Sequence, residues 1–209
     1  KKGQRGGRGG AVDTEDRIMQ GVARVSAWAE ENRRMALLVL VGVLAAGAAA
    51  YVYVDYRADV RERAAVRLDE IRMAAQGLPP AQLRSELTTY VEQFGATAQG
   101  DEARLLLAEM LLQQDSAAAA MRVLEPAVDL RDDPVGFNAG WLMAVAEEQR
   151  DNLAEAARWY ERLADAARHD FQRRRARAAR ARIHTYAGEY AAAEAIYACL
   201  LYTSDAADE

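Results

Sequence analysis

The chain has 209 residues, 51% of them hydrophobic, and a formal net charge of −5. Residues 1–34 carry eight Lys/Arg and five Asp/Glu, net +3, while residues 55–209 carry nineteen and twenty-seven, net −8. An acidic soluble portion argues against nucleic acid as its main partner, and the single Cys199 excludes an internal disulfide. Ala is abundant and β-branched residues are few outside one apolar stretch, which favours helix.

Residues 1–10, KKGQRGGRGG, are basic and Gly-rich and cannot bury a core. An RNA-contacting tail and a basic tail beside anionic lipid both fit; the second is favoured. Residues 13–32 read as an amphipathic helix, with Ile18, Val22, Val25 and Ala29 at helical spacing. Trp28 falls at interface depth, so an in-plane helix is preferred over a partner-binding one.

Met35 to Val54, MALLVLVGVLAAGAAAYVYV, is twenty residues without a charge. As a helix it is about 30 Å long, the thickness of a bilayer's hydrocarbon core. Arg33 and Arg34 bound it on one side, Asp55 and Arg57 on the other. Tyr51, Tyr53 and Tyr56 gather at its second end, where amphipathic rings favour headgroups. The buried helix of a soluble core is the alternative. A cleaved signal is disfavoured, because about thirty-four residues precede the run and it exceeds an ordinary signal core. Small residues at Gly42, Ala46 and Ala50 make a weak helix-approach motif.

Charge does not decide orientation. Four Arg (Arg17, Arg24, Arg33, Arg34) flank the first side and five (Arg57, Arg61, Arg63, Arg67, Arg72) the second. Counting all eight basic residues of the N-terminal segment against those five restores a bias. Long C-terminal domains translocate largely regardless of charge, so residues 1–34 are expected in the cytoplasm and residues 55–198 outside it.

After the apolar run, residues 58–76 predict a helix with Val60, Ala64, Leu68 and Ile71 on one face, ended by Gly77 and Pro79-Pro80. Residues 81–94 predict the next, with Leu83, Leu87, Tyr90 and Val91 apolar, and Gly95 and Gly100 bracket a turn. The chain then repeats. Unit one is 102–114, a turn at Asp115-Ser116, then 117–130, kinked at Pro126. Unit two is 134–150, a turn at Asp151-Asn152, then 153–167; unit three is 171–187, a turn at Gly188-Glu189, then Tyr190 onward. Aligning the turns superposes Ala108, Ala144 and Ala181, then Ala120, Ala156 and Ala193, then Leu124, Tyr160 and Tyr197, at offsets of 36 and 37 residues. Ala lets paired helix backbones approach, and the large residue one turn later fills the space beside it.

These helix–turn–helix units resemble tetratricopeptide repeats. Unit two carries the likeness best, with Asp151-Asn-Leu-Ala-Glu-Ala156 and Trp159-Tyr160. Arg104, Gly140 and Arg177 stand where that family favours Trp, and its terminal Pro is absent. The expected fold is therefore all-α: one transmembrane helix, then an α-solenoid of helical hairpins over residues 55–198. The closing segment from Cys199 to Glu209, CLLYTSDAADE, resembles an in-frame translation of a sequencing adaptor. With no initiator Met at Lys1, the sequence is read as a fragment whose native part ends near Ala198.

The layout also resembles the YfgM-like ancillary subunits of the bacterial SecYEG translocon, through Tyr90-Val-Glu-Gln-Phe-Gly95 and Asp101-Glu-Ala-Arg-Leu-Leu-Leu-Ala108. The resemblance implies a single-pass inner-membrane protein whose periplasmic domain associates with translocon subunits, exported chains and periplasmic chaperones. It brings no catalytic residue. An envelope-assembly or cell-division scaffold, or a regulatory subunit of a membrane enzyme, are the alternatives.

The residues suggest neither an enzyme nor a cofactor. His169 and His184 are fifteen apart, no zinc-ligand spacing or phosphate loop occurs, and Glu147-Glu148 and Asp132-Asp133 are read as solvated charge. From Arg168 to Arg182 there are seven Arg and one acid, Asp170. Arg173, Arg177 and Arg180 share a helix face, with Arg174 and Arg175 beside it. Two readings are open: a docking stripe for acidic segments or lipid headgroups, or pairing with Glu155, Glu161 and Asp165 on the neighbouring helix.

Overall fold

A computed structural model describes residues 32–130 and 133–205, the last four by backbone alone. The basic tail, nearly all of the expected amphipathic helix, Trp28 and Asp132 lie outside the described residues. The described residues are all-α: eight α-helices and one 3-10 turn. The chain divides into two compact units, residues 1–58 and 59–209.

Helix α1 runs from Arg33 to Ala74. Its part in the first unit holds the uncharged stretch. There the most apolar eighteen-residue window is wholly unburied, and the helix is long and apolar enough to cross a membrane. The stretch is therefore not the core helix of the described chain. Tyr51, Tyr53 and Tyr56 are exposed at its second end, with the Arg57 guanidinium 5.2 Å from the Tyr53 ring centroid.

The second unit is built of four hairpins. The first pairs residues 59–74 of α1 with α2 (Pro80–Phe94); the second pairs α3 (Ala98–Gln113) with α4 (Ala117–Leu124). The third pairs α5 (Pro134–Gln149) with α6 (Leu153–Ala166), and the fourth α7 (Asp170–Tyr186) with α8 (Tyr190–Asp205). Ala64, Leu68 and Ile71 of α1 and Leu87 and Tyr90 of α2 are buried together, and the Tyr90 hydroxyl donates to the Ala64 carbonyl at 2.7 Å. Leu87 lies eight residues after the N-cap of its helix, as Leu124 and Tyr160 do after theirs. The two helices read from the sequence as a prelude are thus a hairpin of the same kind.

The last three hairpins share one turn geometry. Asp115, Asp151 and Gly188 have positive φ, 54°, 58° and 77°. In each turn the following N–H reaches back five residues: Ser116 to Leu111, Asn152 to Glu147 and Glu189 to His184, at 2.8–2.9 Å. The positive-φ N–H itself bonds the carbonyl three back. This is the Schellman closure of a helix C-terminus, in which Gly pays no Cβ penalty and Asp tolerates the left-handed conformation. The repeat register read from the sequence coincides with these turns.

The helix starts differ from expectation. α3 begins at Ala98, and Gly100 lies buried in its first turn rather than in a bracketing turn. Thr97 caps it, its hydroxyl accepting from the Gly100 N–H at 3.0 Å; thirty-six residues later the Asp133 carboxylate accepts from Val135 and Gly136. A Cβ on Gly100 would lie 2.2 Å from the Phe94 carbonyl oxygen, and one on Gly136 2.1 Å from that of Asp129. Both contacts are with backbone, so Gly100→Ala and Gly136→Ala are each expected to cost about 1–3 kcal/mol through overpacking. Urea-unfolding midpoints of the detergent-solubilised chain check this. Gly42→Ala, with nothing within 4 Å of its Cβ, should leave the midpoint unchanged.

Pro126 ends α4 rather than kinking it. The helix stops at Leu124 and passes into a 3-10 turn, Glu125–Ala127, because a Pro nitrogen has no proton for the helical ladder. Of the nine superposed packing positions, Ala108, Ala120, Leu124, Ala144, Ala156, Tyr160, Ala181 and Ala193 are buried. Tyr197 is not: 42% of it is exposed. α5 packs over α4 and α7 over α6, whereas no later described helix covers α8.

Burial gives Tyr90 a pH signature. Desolvation, with the Glu102 charge second, pushes its phenol from the ordinary 10.0 up to about 12. The neutral phenol therefore favours the folded state fully below pH 10, and that contribution is lost as pH rises through 12. The melting temperature should fall between pH 10 and 12, and Tyr90→Phe should flatten the part due to this residue.

Candidate partner-binding surface

Among the described residues, no three His, Cys, Asp or Glu side chains are placed to hold a metal ion. His169 sits at the N-cap of α7, its backbone N–H donating to Gln172 Oε1 at 3.3 Å, and its ring stacks on Phe171. His184 Nδ1 lies 2.6 Å from Glu189 Oε2 across the last turn. Glu147 and Glu148 are not solvated charge, which corrects the sequence reading. Glu147 is 4% exposed, and its Oε2 accepts from Arg150 and Asn152 at 3.0 Å. Glu148 Oε1 accepts from the Tyr160 hydroxyl at 2.5 Å and from Arg182 at 2.9 Å. Burial first, and that hydrogen bond second, push the Tyr160 phenol well above its ordinary pKa. Glu147 thus closes the turn between α5 and α6, and Glu148 links α5 to α6 and α7.

The arginines of α7 divide between two faces. Arg173, Arg177 and Arg180 lie on the side toward α6. Arg180 pairs there with Glu161 at 2.8 Å; Arg173 pairs with Asp170 and donates to the Ala167 carbonyl. Glu155, another expected partner, is taken by Arg158 and Arg162 of its own helix. Arg174 and Arg177 make no ion pair among the described residues. The expected stripe is thus half committed to holding α7 on its neighbours.

A second face of α7 was not singled out from the sequence. Phe171, Arg175, Arg182 and Tyr186 recur at helical spacing, and two of them, Arg175 and Arg182, reach Trp141 and Glu148 of α5. The Arg175 guanidinium lies 4.1 Å from the Trp141 ring centroid, and Trp141 meets Tyr160 edge to face at 5.0 Å. Phe171 and Tyr186 are 62% and 65% exposed. The signal was present as an aromatic one turn before and one turn after the two arginines, but the larger arginine count on the opposite face concealed it. Another opening, of about 510 Å³, is lined by Met121, Met143 and Trp159 beside the short α4.

Exposed helix faces suit recognition of other proteins, the general use of stacked hairpins. Residues 26–136 match the family described as Tetratricopeptide repeat-like domain. No curated protein and no solved structure matches the chain. The matched stretch covers just over half of the 209 residues, contains the apolar segment and ends in the first turn of α5. The repeated turns continue the same hairpin geometry to α8. By that match and that geometry, the chain belongs to the tetratricopeptide repeat-like domain family.

Proposed function

We propose that this protein is a membrane-anchored scaffold of the bacterial envelope, an accessory subunit of the Sec translocon that helps exported chains reach periplasmic chaperones. The observation that carries this reading is the single family match through both the unburied apolar helix and the first hairpins. An anchor and an interaction domain in one matched unit suit a protein that works on others at a membrane surface. The likeness of residues 90–108 to the YfgM-like subunits supports the translocon as the place. In this reading residues 1–34 are cytoplasmic, Arg33, Arg34, Tyr51, Tyr53 and Tyr56 sit at the two interfaces, and the hairpins are periplasmic.

Crosslinking in native membranes followed by purification of the full chain tests the function. Translocon subunits and membrane-anchored periplasmic chaperones should dominate the captured proteins. Division proteins, or one membrane enzyme, in their place would replace the translocon reading with an envelope-assembly or regulatory one. Orientation has its own test: protease added to spheroplasts should digest residues 55–198 and spare the N-terminal segment. Protection of the hairpins until the membrane is lysed would reverse the topology.

A further inference from the structure

We infer that the Phe171–Arg175–Arg182–Tyr186 face of α7, with Trp141 of α5 beneath it, docks an extended acidic segment of a protein partner, about seven residues long with apolar side chains at its ends. The inference rests on the scaffold reading and names the chemistry of what that scaffold holds.

The face has two exposed aromatics at its ends and two arginines between them. Phe171 and Tyr186 are fifteen residues apart, about 22 Å along a helix, which an extended chain spans in about seven residues. Arg175 makes no ion pair among the described residues; its guanidinium carbon lies over the Trp141 ring, 4.1 Å from the centroid. A guanidinium resting on an aromatic ring keeps its N–H donors for other partners, and its planar fork suits bidentate carboxylate recognition. Arg182 is fixed by Glu148 at 2.9 Å and lies 5.7 Å from the Tyr186 ring centroid. The carboxylate that this face touches, Glu148, is shared between Arg182 and the Tyr160 hydroxyl, so Arg175 is left as uncompensated positive charge. Arg174, also without an ion pair among the described residues, flanks it one position away. Residues 55–209 carry eight more acids than bases, so this is a local positive site on an acidic domain. A lipid surface responds to summed charge, and one of the two arginines here is already neutralised; positioned forks between aromatic ends fit a peptide better.

The test uses the full chain in nanodiscs of zwitterionic lipid. The probe is a fluorescein-labelled heptapeptide with an aromatic residue at each end and acidic residues between, beside a twin with lysines between. The acidic probe should bind at least about tenfold more tightly than its twin, and more weakly as salt rises. Phe171→Ser with Arg175→Gln should weaken it about tenfold. The exposed Tyr186→Ser gives an independent variant should that pair disturb folding, and helical circular dichroism reports folding for each. Arg173→Gln with Arg177→Gln, on the opposite face, should change binding less than about twofold. The proposal is overturned if the lysine twin binds as well, or if the opposite-face variant loses as much. It is also overturned if the α7 variants lose only binding to anionic vesicles, or only self-association in sedimentation, which would make the occupant lipid or a second copy. Crosslinked translocon partners that survive the α7 variants would move the docking face while leaving the scaffold reading intact.

Discussion

Replacing Tyr160 with Ala should lower the unfolding free energy by about 3–5 kcal/mol, the range for deleting a fully buried aromatic. Tyr160 is 0% exposed, meets the Trp141 ring edge to face at 5.0 Å and donates its hydroxyl to Glu148. Its loss would open a cavity between α5, α6 and α7 and leave Glu148 joined across the helices to Arg182 alone among the described residues. A domain of ordinary stability holds about 5–15 kcal/mol, so the variant should melt far earlier. The equivalent residue in the next hairpin makes the comparison sharp. Tyr197 stands at the same position of its helix but is 42% exposed, and Tyr197→Ala should shift stability by no more than about 0.5 kcal/mol. Equal losses from the two substitutions would show that α8 is covered in solution. Urea titration of the detergent-solubilised chain, followed by tryptophan fluorescence, measures both.

Ala156→Trp should cost about 1–3 kcal/mol or more through overpacking. Ala156 is 0% exposed and buried in the cluster that also holds Ala144, Tyr160 and Ala176. An indole is far larger than the methyl it would replace, so α6 would have to move away from its neighbours to admit it. Ala154 is exposed two residues earlier on the same helix, and Ala154→Trp should stay within about 0.5 kcal/mol. The pair shares composition, propensity and local sequence, so the difference isolates the packing. Identical denaturation midpoints would dissolve the repeat alignment on which the hairpin register stands.

The arginine faces of α7 show where sequence reading stops. Period 3.6 puts Arg173, Arg177 and Arg180 on one helix face. It does not say which neighbour that face meets, and Arg180 is spent on Glu161 while Arg175, treated as peripheral, is presented over Trp141. Gly100 was misplaced for a related reason. Gly is ordinarily a breaker, but here it is the residue that lets a helix start pass 2.2 Å, by its absent Cβ, from the Phe94 carbonyl. The first hairpin was hidden because α1 continues the apolar stretch without a break and its turn, 75–79, lacks the positive-φ residue that marks the other three.

By itself the sequence determined the all-α class, the uncharged stretch and the register of the three matching turns, because these depend on neighbours within a few residues: apolar spacing, a left-handed-tolerant turn residue and the cap that follows it. Only the tertiary structure decided that Glu147 is buried, that Tyr160 is covered where Tyr197 is open, and which arginines remain available. Those outcomes depend on contacts such as Trp141 with Arg175 and Glu148 with Arg182, each thirty-four residues apart. Local periodicity says which side chains share a face; the packing of one hairpin on the next decides whether that face is buried, paired or free.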